Sequence, residues 1–159
     1  MKIIGDGGHA KVIRELLTQY EIGWFSYKDA VIAVGDNAAR KKEAEKNADL
    51  RFPPLISKEA YLSKDTFVGE GTVIMPGAII APGANVGRFC IVNHNAVVDH
   101  DCVIGDYVHI APGAHLCGHV EVGEGTLVGV GVGIAPMCKI PAWVLVKARK
   151  LEMEPLYAE

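Results

Sequence analysis

The chain has 159 residues, a formal net charge of -3, and hydrophobic side chains at half of its positions. This length and composition allow one domain or two small ones with a buried core, which excludes disorder as the main state. Lys and Arg form no basic stripe, and no window reaches the ~18 apolar residues of a spanning helix, so we expect neither nucleic acid nor a membrane as a partner. The start of the chain, Met1 to Asp6, lacks the long apolar stretch of a signal peptide, which predicts a cytoplasmic protein with reduced cysteines.

The first fifty residues predict a strand, a loop and a helix, twice over. Residues 2–4 are typical of a short strand, and residues 10–20 have the apolar periodicity of a helix. Residues 31–34 predict a buried parallel strand, and a charged helix follows at about 38–48. In a doubly wound arrangement both loops would emerge at the carboxyl edge of the sheet, where ligands bind.

The first of these loops carries a glycine-rich motif, Gly5-x-Gly7-x-x-Ala10. This motif fits the phosphate-binding fingerprint, in which glycines let backbone N–H groups and a helix N-terminus approach an anion. A tight turn without a ligand remains an alternative. The acidic residue that a dinucleotide site carries about twenty positions later is missing, which favours a nucleotide or a nucleotide sugar over NAD.

A period of six residues organises the chain from Pro54 to Arg149. The third position of all sixteen hexads is a branched aliphatic residue: Ile56, Leu62, Val68, Ile74, Ile80, Val86, Val92, Val98, Ile104, Ile110, Leu116, Val122, Val128, Ile134, Ile140 and Val146. A residue that points inward every six positions predicts short strands around a three-sided prism, with three hexads to a coil. Adjacent coils would stack at the ~4.8 Å spacing of parallel strands, which makes a parallel β-helix.

The turns of the prism are predicted from residues that tolerate a positive φ. We expect them at the fourth positions, which are Gly69, Gly87, Asn93, Asp99, Gly105, Gly123 and Gly129. Pro-Gly pairs mark three more turns, at Pro76-Gly77, Pro82-Gly83 and Pro112-Gly113. Three cysteines fall at inward first positions, namely Cys90, Cys102 and Cys138, where we expect core packing; Cys117 falls at an outward corner.

Two consecutive corners differ in composition from the others, because they read Asn93-His94-Asn95 and Asp99-His100-Asp101. An imidazole with a neighbouring carboxylate is suited to general base catalysis, and His100 has an aspartate on each side. The alternative is that the acidic and amide residues only satisfy turn geometry while both histidines are solvated.

Residues eighteen apart should lie directly above one another on neighbouring coils. Gly118 is therefore expected over His100, where its missing side chain would leave a slot for an extended thioester arm. By the same count His119 should stack over Asp101. No two histidines have the five-residue spacing of the metal ligands in hexapeptide-repeat carbonic anhydrases, so we expect no metal site.

Four segments together resemble one group of enzymes: Gly5 to Val12, Val34 to Asn37 with Arg40, Asn93 to Asp101, and His109 to Gly113. The chain is similar to left-handed β-helix sugar acetyltransferases related to the bacillosamine-pathway and perosamine N-acetyltransferases and to the sialic acid O-acetyltransferases. The resemblance implies a mostly β protein, with a small, abbreviated Rossmann-like α/β domain at 1–53, a left-handed parallel β-helix at 54–149 and a tail at 150–159.

The resemblance also implies roles for particular residues. His100 would be the catalytic base with Asp101 as its partner, and Asn93, His109 and Gly118 would line the acceptor and acetyl-CoA region. The residues expected to border the nucleotide are Gly7, Gly8, His9, Asp36 and Asn37. The implied co-substrate is acetyl-CoA, with no metal, and the implied assembly is a homotrimer that binds acetyl-CoA between subunits.

The implied reaction is N-acetylation of a nucleotide-linked deoxyamino sugar in bacterial glycan synthesis. O-acetylation of a sugar hydroxyl of the sialic acid type and a non-catalytic trimeric scaffold remain alternatives. Two departures from the family bear on substrate binding: the segment 23–30 is too short for a complete second strand, and 150–159 stand where a further coil is usual.

Overall fold

The computed structural model describes residues 1–20 and 25–147. It begins with a small α/β unit that contains the predicted strand, loop and helix twice. Strands β1 and β2 pair in parallel, with Lys2 opposite Ala30 and Ile4 opposite Ile32. The four elements are β1 (Lys2–Ile4), α1 (Gly8–Leu17), β2 (Ala30–Ile32) and α2 (Asn37–Lys46).

Helix α1 joins this unit to the rest of the molecule through its apolar face. Ile13 and Leu16 are buried in one cluster with Leu55, Val73 and Met75, which belong to the following repeats. The apolar face of α1 therefore packs against an outward-facing apolar row of the prism, and the α/β unit and the prism share this core.

Within the described part of the chain, residues 55–146 form sixteen two-residue strands around three sides, as the six-residue period predicts. Residues eighteen apart pair in parallel, so that Val97 lies between Ile79 on the coil before and His115 on the coil after. The strands form two sheets of five and one of six. They are β3 (Leu55–Ile56), β4 (Tyr61–Leu62), β5 (Phe67–Val68), β6 (Val73–Ile74), β7 (Ile79–Ile80), β8 (Asn85–Val86), β9 (Ile91–Val92), β10 (Val97–Val98), β11 (Val103–Ile104), β12 (His109–Ile110), β13 (His115–Leu116), β14 (Glu121–Val122), β15 (Leu127–Val128), β16 (Gly133–Ile134), β17 (Lys139–Ile140) and β18 (Leu145–Val146).

The core of the prism consists of the first and third positions of the hexads, as predicted. Cys90 and Cys102 are buried in it and Cys138 is half-buried, while Cys117 is exposed. All four thiols are free. Burial raises the pKa of Cys90 to about 12, so this thiol stays protonated and unreactive at neutral pH.

The prediction that fourth positions carry the positive φ angles is wrong, because these angles occur at the sixth positions. Non-glycine residues adopt them too, including Phe89 (φ 52°), Asp101 (φ 58°) and His119 (φ 59°). The fourth-position glycines serve close stacking instead. A Cβ on Gly69 would lie 2.6 Å from the carbonyl carbon of Gly87 on the next coil.

Arg40 of α2 connects the α/β unit to the prism and is 1% exposed. Its Nε donates to the Phe89 carbonyl at 2.7 Å and its Nη2 to the Tyr107 carbonyl at 2.8 Å. Nη2 also donates to Oδ1 of Asn37 at 2.7 Å, and Nη1 donates to the carbonyls of residues 34–35 at 3.1 Å. Burial lowers the pKa of Arg40 to about 10, so it remains a cation at neutral pH, surrounded by neutral acceptors.

The predicted domain boundary falls between helix α2 and the first hexad strand. Helix α2 ends at Lys46 and the first hexad strand begins at Leu55, on either side of the predicted boundary at residue 53. The predicted tail, 150–159, lies outside the described residues. Among the helices of residues 1–20 and 25–147, none has the length and apolarity needed to span a bilayer.

Candidate active site

His100 occupies the turn between β10 and β11, and the two aspartates beside it hold it in place. Its backbone N–H donates to Oδ1 of Asp99 at 2.7 Å, and its ring Nδ1 lies 2.8 Å from Oδ2 of Asp101. Because an ionised carboxylate only accepts hydrogen bonds, Nδ1 carries the proton of this pair. The neutral ring therefore keeps the lone pair of Nε2 available as a base.

The pair perturbs the titration of both partners. The hydrogen bond to Asp101 raises the pKa of His100 above its ordinary 6.5, and the same bond lowers the pKa of Asp101 below 3.8. The side chains are 51% and 52% exposed, so the imidazole is accessible from solvent.

Gly118 lies over His100 as predicted, but it does not leave an empty slot. A Cβ on Gly118 would lie 2.5 Å from both Cε1 and Nε2 of His100. The imidazole itself occupies the space that a side chain would take, which corrects the prediction. The role of this glycine is to let the ring lie against the next coil.

A second polar network surrounds Asn93. The backbone N–H of His94 and its ring Nδ1 lie 2.9 and 2.8 Å from Oδ1 of Asn93, which fixes the orientation of the amide. The Nδ2 group of Asn93 then donates to Nε2 of His109 at 3.1 Å. His109 also bonds the backbone of Gly35, in the α/β unit. This network connects the predicted acceptor region to the loop after β2.

Burial lowers the pKa of His109 to about 4, with a further contribution from the positive charge of Arg40. Burial likewise lowers the pKa of His9 to about 4, with Arg40 and His94 adding to the effect. Both rings are therefore neutral at physiological pH. The Nε2 atom of His9 is buried and has no hydrogen-bond partner within the described part of the chain.

The glycine-rich loop forms a cavity of about 390 Å³ at the carboxyl ends of β1 and β2, lined by Gly5, Asp6, Gly7, Gly8, His9, Ala33, Val34 and Gly35. Gly5 is required by the fold, because its φ is +114° and a Cβ would lie 2.7 Å from the Ala33 carbonyl oxygen. Side chains at Gly7 and Gly8 would meet no atom within 4 Å. Gly7 precedes α1 without a side-chain cap, so no capping side chain bonds the backbone N–H groups of the first turn.

Asp36 and Asn37 line a neighbouring cavity of about 250 Å³ rather than this one, and Gly35 borders both; their place beside the nucleotide stays a prediction. Oδ1 of Asp36 accepts from the Ala39 N–H at 2.8 Å and caps α2. The amide of Asn37 is buried and already bonded, because its Nδ2 donates to the Gly125 carbonyl at 2.9 Å and its Oδ1 accepts from Arg40. An aspartate directly before a charged helix is the sequence pattern that predicts such a cap.

His119 stacks over Asp101 as predicted, with its Nε2 3.6 Å from Oδ2. Its ring meets that of His100 edge-on, at a centroid distance of 5.2 Å. One donor atom from each of His100, Asp101 and His119 lies within 4.8 Å of the others. Reasoning from linear spacing missed this group, although the eighteen-residue coil length indicates it.

The fold is that of a hexapeptide-repeat transferase. The family described as "Bacterial transferase hexapeptide (six repeats)" matches residues 65–100 and 101–136. The acetyltransferase domain of PglB from Neisseria gonorrhoeae is similar at 30% identity, with a TM-score of 0.84, over 91% of this chain and 86% of that one. PerB from Caulobacter crescentus, solved with CoA and GDP-perosamine, is 32% identical, with a TM-score of 0.82, over 90% of this chain and 83% of that one.

The chain therefore belongs to the hexapeptide-repeat family and is an acyltransferase similar to sugar acetyltransferases. The likeness to WeeI from Acinetobacter baumannii, at 22% identity and a TM-score of 0.63 over 92% of this chain and 95% of that one, is one of fold. No curated protein sequence matches the chain.

Proposed function

We propose that this acyltransferase moves the acetyl group of acetyl-CoA to the amino group of a nucleotide-linked deoxyamino sugar. The observation that carries the proposal is the His100 ring, bonded through Nδ1 to Asp101 at 2.8 Å, with Nε2 unprotonated in the neutral form. Similar proteins support the choice of substrates, because the PglB domain was solved with acetyl coenzyme A and PerB with CoA and GDP-perosamine.

In this mechanism His100 is the general base. A sugar amine is protonated in water and needs a free lone pair to attack, so Nε2 of His100 first accepts the ammonium proton and releases it to solvent. The second proton leaves nitrogen as the amide bond forms and also passes to Nε2. Asp101 stabilises the imidazolium through Nδ1–H. The amine nitrogen attacks the thioester carbonyl, the carbon–sulfur bond breaks, and the imidazolium returns a proton to the departing thiolate.

The nucleotide would occupy the 390 Å³ cavity of the glycine-rich loop. The open space at Gly7 and Gly8 supports this assignment, because no packing within the described chain requires glycine at these two positions. Phosphate oxygens can approach the uncapped first turn of α1 closely, where N–H groups and the helix dipole favour an anion. His9 and the Asn93 network would then lie between the nucleotide and the acetyl group.

We also propose a homotrimer that binds acetyl-CoA between subunits. Strands β4, β7 and β10 belong to one sheet, and β10 leads into the His100 turn. On the outer face of this sheet Tyr61 and Ile79 form an apolar row and are 61% and 40% exposed. Such a row is suited to contact with a second copy of the chain. Light scattering should give three times the mass of one chain, and the mass of a single chain would remove the intersubunit site.

Release of the CoA thiol, measured with a panel of amino-sugar nucleotides and matched hydroxyl sugars, tests the function directly. Turnover with amine acceptors supports N-acetylation. Turnover only with hydroxyl acceptors would establish the alternative, O-acetylation, since the same base can serve a hydroxyl. Absence of turnover with every acceptor contradicts the proposal.

The pH dependence of the reaction should report the His100–Asp101 pair. Because the bond to Asp101 raises the pKa of His100, the base loses its lone pair as the pH falls through a value above 6.5. We expect kcat/KM to fall on the acid side of that value. In Asp101→Asn the acid limb of the kcat/KM profile should move to lower pH, because residue 101 no longer has a carboxylate that stabilises the imidazolium. An acid limb at the same pH in both proteins contradicts the pairing.

Gly118→Ala tests the position of the imidazole without removing it. The new Cβ would lie 2.5 Å from the His100 ring and would force it to move. We expect a fall in kcat of ~10²-fold, since misplacement by about 1 Å can cost that much. The matched control is Gly133→Ala, where a Cβ meets no atom within 4 Å. Equal rates in both variants would show that the ring position does not matter.

A further inference from the structure

We propose that His100, Asp101 and His119 form a binding site for a divalent transition-metal ion such as Zn²⁺, and that the ion inhibits the enzyme. The metal is not a cofactor in this proposal. The inhibitory consequence depends on the proposed function of His100, whereas the binding site does not.

The site is built by the repeat itself. Asp101 and His119 are eighteen residues apart and have nearly the same φ, 58° and 59°, so their side chains leave the same corner of the prism on successive coils. A hydrogen bond from the His119 N–H to the His100 carbonyl, at 3.0 Å, holds the two turns together. The three side chains therefore share one patch of surface.

The distances suit a small metal ion. Oδ2 of Asp101 lies 2.8 Å from Nδ1 of His100 and 3.6 Å from Nε2 of His119. Zinc ligands at 2.0–2.2 Å in a tetrahedron are separated by roughly 3.3 Å, which lies between these two values. Two imidazoles and a carboxylate with one open position are a common zinc donor set.

The donors are accessible to a hydrated ion. The three side chains are 51%, 52% and 59% exposed, so binding requires no opening of the core. The Asp101 carboxylate supplies negative charge at the centre of the group. His115 on β13 is also exposed but is not part of the group, which makes it a matched control.

Metal binding would inactivate the base by changing which ring nitrogen of His100 carries the proton. The ion bonds to Nδ1 of His100, which is the ring nitrogen that carries the proton in the free enzyme. That proton moves to Nε2 of the neutral ring, or one of the two protons of the imidazolium is released to solvent. In either case Nε2 is left protonated and cannot accept a proton from the acceptor amine.

Calorimetric titration of the whole protein with ZnCl₂ in a non-chelating buffer tests the site, in the wild type and in His119→Ala, His115→Ala and Cys117→Ser. Loss of an outer-shell partner alone typically weakens metal binding ~10–100-fold, so loss of the His119 ligand should weaken it at least ~10-fold. His115→Ala and Cys117→Ser should bind as the wild type does.

Absence of binding to the wild type, equal binding by His119→Ala, or loss of binding only in Cys117→Ser would each overturn the proposed site. In the thiol-release assay, Zn²⁺ should inhibit the wild type at a concentration at least ~10-fold lower than it inhibits His119→Ala. If no acceptor supports turnover, the proposed function fails while the titration still decides the metal site.

Discussion

His100→Ala should lower kcat by ~10²–10⁴-fold, the range that a well-placed general base supplies. The reason is that a protonated amine cannot attack the thioester and the variant lacks the imidazole that is hydrogen-bonded to Asp101; the Nε2 atom of His119 lies 3.6 Å from that carboxylate, beyond hydrogen-bond distance. The measurement is thiol release at saturating acetyl-CoA and acceptor. Because His100 is half-exposed and outside the core, we expect the urea midpoint of the variant to match that of the wild type.

Lys64→Ala is the control, because it removes an exposed side chain of the prism that lies outside both the His100 turn and the outward row of Tyr61 and Ile79. Its kcat should equal that of the wild type. If His100→Ala retains full turnover, or if both variants lose it equally, His100 is not the base. The urea midpoint distinguishes a loss of catalysis from a loss of folded protein.

Arg40→Met should lower the free energy of unfolding by ~3–5 kcal/mol. The substitution keeps most of the side-chain length but removes every N–H donor, so the Phe89 and Tyr107 carbonyls of the prism lose bonds of 2.7 and 2.8 Å. A buried acceptor left without a donor costs ~1–3 kcal/mol, and the carbonyls of residues 34–35 and Oδ1 of Asn37 lose the same donor.

Urea unfolding monitored by circular dichroism measures the loss. Lys42→Met removes a positive charge from an exposed position of the same helix and should change stability by less than ~0.5 kcal/mol. Equal stability of Arg40→Met and Lys42→Met would contradict the role of Arg40 as the connection between the α/β unit and the prism.

Much of the candidate site could be predicted because it is local or periodic in sequence. His100 and Asp101 are neighbours, and Gly118 and His119 follow them by one coil of eighteen residues. Inward aliphatic residues at a strict six-residue spacing allow few other folds, so the coil length and the stacking of these corners follow from counting. The contacts across coils at this corner are therefore consequences of the repeat.

The turn conformations could not be predicted from residue preferences. The positive φ angles fall at positions that include Phe89, Tyr107 and Trp143, which are unfavourable residues for that region. Packing explains their presence, because the rings of Phe89 and Tyr107 stack at 5.4 Å and lie in one cluster with Ala30, Ile32 and Ala44 of the α/β unit. Tertiary contacts here outweigh the intrinsic backbone preference.

The sequence by itself determined the prism, its coil length and the histidine beside a carboxylate, since each depends on spacing along the chain. Only the tertiary structure decided how the α/β unit lies on the prism. The hydrogen bonds of Arg40 and Asn37 to the prism join segments 49 or more residues apart with no common period. Such contacts depend on burial and on satisfying hydrogen bonds between two surfaces, and no local pattern encodes that pairing.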